Sequence, residues 1–122
     1  MAVSAEFLEF ISEQIEGFGH VDIKRMFGGA GVFREGLMFA LVSEEALYFK
    51  VGDDNQGAFE EEGSEPFMYE KNGKSMAMGY WRLPERLYDD REEFSDWARR
   101  AFRAALTADR LKPKSKRKHT PV

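Results

Sequence analysis

The chain of 122 residues has no cysteine. That one absence excludes a disulfide framework, a thiolate zinc site and a cysteine nucleophile together, and it fits an expected cytoplasmic location. Histidine is nearly as scarce. His20 and His119 are the only imidazoles, so neither a His-based triad nor a multi-histidine metal site has the residues it needs. Long apolar runs are missing as well. None approaches the roughly 18 to 20 residues of a membrane span, and Met1-Ala2-Val3-Ser4-Ala5-Glu6 lacks the basic start and apolar stretch of a signal peptide. No membrane association is expected.

What is present is apolar and aromatic. The hydrophobic share is 43% and the aromatic share 14%, enough for one packed core in a chain of this length. Charge is unevenly placed. Lys112, Lys114, Lys116, Arg117 and Lys118 crowd the end of the chain with no acid among them. The remaining thirteen Lys and Arg face all 22 Asp and Glu, so residues 1–111 carry −9. Such a body repels phosphate at long range. The expected division is therefore a folded domain over residues 1–111 and a disordered basic tail over residues 112–122. Any nucleic-acid contact is expected to be weak and made through that tail.

Periodicity gives the order of elements. Ser4 is placed to cap a helix carrying Phe7, Leu8, Ile11, Ile15 and Phe18 on one stripe, and Gly17 and Gly19 end it. An extended piece from Val21 to Phe27 leads into Gly28-Gly29-Ala30-Gly31. A hairpin follows, Val32–Arg34 and Leu37–Val42 around Glu35-Gly36, and then a strand from Leu47 to Val51. Asp53 is expected to cap a short helix reaching Glu62. Asn72-Gly73, the preferred pair for a type I′ turn, joins Phe67–Lys71 to Lys74–Leu83. A two-residue loop predicts the pairs Lys71–Lys74, Tyr69–Met76 and Phe67–Met78. Asp90-Arg91-Glu92-Glu93 reads as a capping box for a last helix with Phe94, Trp97, Ala98, Ala101 and Ala105 inward. The fold class is α+β: a two-layer structure with an antiparallel sheet and helices on one side, in the order helix, three or four strands, helix, two strands, helix.

Motifs that imitate chemistry fail on context. Gly28-Gly29-Ala30-Gly31 feeds a strand, whereas a dinucleotide fingerprint must open a helix. Gly73-Lys74-Ser75 imitates the end of a P-loop, but the first glycine would fall at Met68 and the segment is a hairpin turn. The paired carboxylates Asp53-Asp54, Glu60-Glu61-Glu62 and Asp89-Asp90 sit at helix ends or turns, where capping and dipole complementarity account for them. No catalytic residue, metal ligand or cofactor site is assigned, and no enzyme activity is expected.

The strand faces carry a stronger hint. Leu37, Phe39 and Leu41 alternate with Met38, Ala40 and Val42, and Met68 and Trp81 alternate with Phe67, Tyr69 and Tyr80. A sheet covered on one side should alternate apolar with polar, yet this one reads apolar on both. A second subunit on the outer face is expected, so the chain is read as a homodimer. The candidate interaction residues are Met68 and Trp81 with Arg99 and Arg103 of the last helix. A candidate ligand pocket is drawn around Arg25, Lys50, Tyr69 and Tyr80.

Together, Arg25-Met26-Phe27-Gly28-Gly29 with Gly31, Phe39-Ala40, Leu47-Tyr48-Phe49-Lys50, Pro66-Phe67 with Tyr69, Tyr80-Trp81 with Pro84, and Trp97-Ala98 with Ala101 resemble the N-terminal domain of the TfoX/Sxy family over residues 5–106. That family comprises regulators associated with competence for DNA uptake. The resemblance implies a secretion-chaperone-like α+β fold and a non-catalytic regulatory module acting through a protein partner that the sequence does not name. Two other readings stand beside it: a small-ligand sensor, and an accessory nucleic-acid binder using the tail.

Overall fold

The hydroxyl of Ser4 accepts a hydrogen bond from the Phe7 amide at 3.1 Å, closing the first turn of helix α1, Ala5–Gln14. The computed structural model describes residues 3–26 and 28–116. Phe27 of the glycine-rich stretch, Arg117, Lys118 and His119 of the tail, and the side chains of Ala77 and Met78 lie outside the described residues.

Four strands follow α1: β1 Asp22–Met26, β2 Gly29–Arg34, β3 Leu37–Ser43 and β4 Ala46–Lys50. Helix α2, Gln56–Glu61, leads to β5 Pro66–Lys71 and β6 Lys74–Arg82, then to a 3-10 turn Glu85–Asp89 and helix α3 Arg91–Arg110. A second 3-10 turn spans Lys114–Lys116. The strands form one antiparallel sheet of six in the order β1-β2-β3-β4-β6-β5. The α+β order expected from periodicity is therefore the observed one, with Asp22–Met26 of the expected extended piece forming a full strand.

The helices lie on one face. Phe39, Phe49, Phe59 and Phe94 are fully buried between them and the sheet with Ile11, Leu47, Leu83 and Leu87. Phe49 meets Phe94 edge-on at 5.8 Å, and Phe59 of α2 meets Trp97 of α3 at 4.7 Å. Asp90 accepts from the Glu93 amide at 3.1 Å and starts α3 as its spacing predicts. Asp53 does not cap α2. Asn55 precedes that helix instead, 2% exposed, accepting from the Gly52 amide at 2.7 Å and donating to the Lys50 carbonyl at 3.0 Å. An amide has both a donor and an acceptor for these two backbone groups, and a carboxylate lacks the donor.

Polar staples tie the layers together. The Gln14 amide donates to the Tyr88 carbonyl and accepts from Arg91 Nε at 3.0 Å. The Tyr88 hydroxyl accepts the Leu47 amide at 3.0 Å. Arg86 grips Glu62 at 2.6 Å and Glu93 at 2.9 Å, and its hydrogen bonds hold both carboxyls below their usual range.

Two irregularities depart from the faces and pairings read from strict alternation. Val32 pairs with Ala40 but Phe33 with Met38, so Phe39 is an extra residue opposite β2, a β-bulge. Leu37, Phe39, Ala40 and Val42 all join the core, while Leu41 and Met38 do not. In the second hairpin, Lys71–Lys74 and Tyr69–Met76 pair as expected. The pair Phe67–Met78 does not form. The register shifts between Pro66 and Met68, and Gly79 has φ +74°. β6 carries two extra residues there, so Pro66 pairs with Trp81, and Trp81, paired also with the buried Phe49, lies on the helix side.

Asn72 and Gly73 have φ of 54° and 77°, as a type I′ turn requires. A Cβ at Gly73 would meet nothing within 4 Å, so Gly73→Val is strained by backbone conformation alone. It should cost roughly 1 to 3 kcal/mol, read as a lower midpoint in a denaturant titration.

Candidate interaction surface and cleft

Pairing defines the face turned away from the helices. Leu41 pairs with Gly31 and Tyr48, Tyr48 with Arg82, and Lys50 with Tyr80. Around Gly31, a Cβ would meet Met38, Phe33 and Met26. Tyr48 packs edge-on against Phe67 with ring centroids 5.0 Å apart. Lys24 lies over the Phe33 ring and Lys50 over the Tyr80 ring, each ammonium 5.1 Å from the centroid. Leu41 and Tyr80 are each 8% exposed yet lie outside the helix-side core. The result is a continuous outer face of Met, Phe, Leu and Tyr bordered by cations. Burial pushes the Tyr80 phenol up to about 12, so this face carries no phenolate charge near neutral pH.

The residues singled out in the sequence are spread over several places. Met68 is 51% exposed on β5, the edge strand. Trp81 packs beside Phe59, 6.4 Å between centroids, against the helix-side core, so the outer contact drawn through it is corrected. Arg99 is ion-paired to Asp96. Tyr69 pairs with Met76 toward the tip of the hairpin. Arg25 donates to the Val3 carbonyl at 2.9 Å and pairs with the core residue Ala30, on the opposite face from Lys50 and Tyr80. Lys50 and Tyr80 are therefore brought together, and Arg25 is not part of that site.

Arg103 falls elsewhere again. It lines a cleft of about 660 Å³ between the segment Lys50–Asp54 and the C-terminal half of α3, with Arg100, Ala104, Ala108 and Leu111. Lys50 is half-buried there, and desolvation together with the Lys112 charge lowers its ammonium pKa. The outer-face residues Phe33, Met38, Leu41 and Tyr48, and the part of the cleft wall formed by Val51, Gly52, Asp53 and Asp54 beside the expected Lys50, were missed from sequence. Their signal is cross-strand register and helix-to-loop proximity, which alternation along one strand does not contain.

Among the described residues no group of three or more His, Asp or Glu is arranged to hold a metal ion, and no helix is long and apolar enough to cross a membrane.

The TfoX N-terminal domain family matches residues 13–105. The chain is similar to the DNA transformation protein TfoX1 of Aliivibrio fischeri (strain ATCC 700601 / ES114), 34% identical over 71 residues. That match takes in 58% of this chain and 34% of the relative, so the chain spans about a third of the protein it resembles. With the match covering most of the sequence, the chain belongs to the TfoX N-terminal domain family.

Proposed function

We propose that this domain is a non-catalytic regulatory module that acts through protein contacts in the control of DNA-uptake competence. Family membership carries the reading, and a relative named for DNA transformation supports its direction. The outer sheet face supports the mode of action. Apolar side chains on Leu41, Tyr48, Phe67 and Tyr80 lie opposite the helix layer, where a solvated sheet would carry polar ones. The occupant proposed for that face is a second copy of the chain, and the working form is a homodimer in the cytoplasm.

The functional half is tested by deleting the gene in the source cell and measuring transformation by added DNA. Transformation should fall clearly and return when the wild-type chain is supplied. Unchanged transformation in the deletion strain would contradict the proposal.

A further inference from the structure

We propose that the cleft between the Lys50–Asp54 segment and α3 binds a small phosphate-bearing ligand of nucleotide size. Three cations, Lys50, Arg100 and Arg103, line it together with Asp53 and Asp54. Its volume of about 660 Å³ falls in the range of small-molecule sites. The walls divide by chemistry. Arg100 and Arg103 stand on exposed turns of α3, while Val51, Ala104, Ala108 and Leu111 give an apolar strip. Leu111 is 84% exposed, so the strip is open at its end to an apolar or aromatic body.

The walls meet closely beside the cations. A Cβ on Gly52 would lie 3.4 Å from the Ala104 methyl, so an added methyl there would just fill the space between loop and helix. On the other side of Lys50, a Cβ on Gly79 would come within 3.3 Å of its ammonium, and the Tyr80 ring supports it from below. Lys50 is thus held in place by glycine and aromatic surface. Among the described residues, neither Lys50 nor Arg103 makes an ion pair within 4 Å. The Lys112 charge adds to the repulsion felt at Lys50. Lys50, Arg100 and Arg103 outnumber the two carboxylates in the lining, and with Lys50 half-desolvated the excess of positive charge favours an anion. A phosphomonoester supplies two charges and the oxygens that guanidinium forks match. Asp53 and Asp54 at the rim can accept hydrogen bonds from hydroxyl groups on the ligand. This site meets the outer sheet face at Lys50, whose ammonium lies over Tyr80, and it does not depend on the competence reading.

The test uses the full chain with adenosine 5′-monophosphate, inorganic phosphate and adenosine, read by thermal midpoint and by amide chemical-shift mapping. Arg103→Gln and Arg100→Gln provide the comparison, since both side chains are exposed on α3 and either variant should fold. Adenosine 5′-monophosphate should raise the wild-type midpoint by several degrees, with half-saturation at or below about 1 mM. Phosphate should do so more weakly and adenosine not at all. Shifts should gather at residues 50–54 and 100–111, and both variants should lose most of the effect. Equal stabilisation of wild type and variants would assign the effect to bulk salt and overturn the site. So would an effect from adenosine matching that of its phosphate, or no response from the wild type to any probe.

Discussion

Replacing Phe49 by alanine should destabilise the domain by about 3 to 5 kcal/mol. The ring is fully buried in the sheet centre, 5.8 Å from Phe94 of α3 and 6.4 Å from Phe39. Aromatic truncation there removes its transfer free energy and leaves a cavity that flanking phenylalanines fill poorly. Phe49 also stands between Tyr48 and Lys50, which point to the other face. Losing it loosens the strand that presents both candidate surfaces. In denaturant the midpoint should fall while the slope stays unchanged. A loss below about 1 kcal/mol would mean that α3 and the sheet do not share this core.

The second large effect is expected at Gly29. A Cβ built there lies 2.2 Å from the Val42 carbonyl oxygen and 3.7 Å from the Ser43 Cα. The obstacle is backbone of the neighbouring strand, which cannot rotate away as a side chain would. Gly29→Ala should therefore separate β2 from β3 locally and cost roughly 3 kcal/mol, at the upper end for overpacking. Gly28, with open space around its Cβ position, gives no comparable steric clash. An unchanged melting midpoint for Gly29→Ala would contradict the close approach of these strands. The glycine-rich stretch is thus explained by packing between strands, with no phosphate cradle.

Local chemistry was legible in the sequence because its causes lie within a few residues. Ser4 and Asp90 cap their helices through hydrogen bonds three residues on, and Asn72-Gly73 sets a turn by its own φ values. The α1 and α3 stripes and the order of elements follow from the same short range. The faces were legible only up to the first bulge. One unpaired residue at Phe39 placed Phe39 and Ala40 in the core together, and the shift between Pro66 and Met68 broke the expected register of the second hairpin. Neither event has a signature in alternation along one strand, because a bulge is a relation between two. The candidate pocket failed for a related reason. Arg25 and Lys50 lie on strands separated by two others, β2 and β3, and on opposite faces, and that order is set by pairing far along the chain. Arg100 and Arg103 were visible as neighbours at helical spacing, but the loop that completes their cleft was not.

The claim that the outer sheet face is a contact surface is tested most directly by sedimentation of the wild type and of Tyr48→Glu across micromolar concentrations. Tyr48 lies on that face against Phe67, so a carboxylate there leaves the helix-side core intact while placing charge in the contact. Wild type should sediment as a dimer that dissociates on dilution. Tyr48→Glu should remain folded, with an unchanged circular dichroism spectrum, and sediment as a monomer. A wild type that is monomeric throughout, or a folded Tyr48→Glu that associates equally well, would contradict the account.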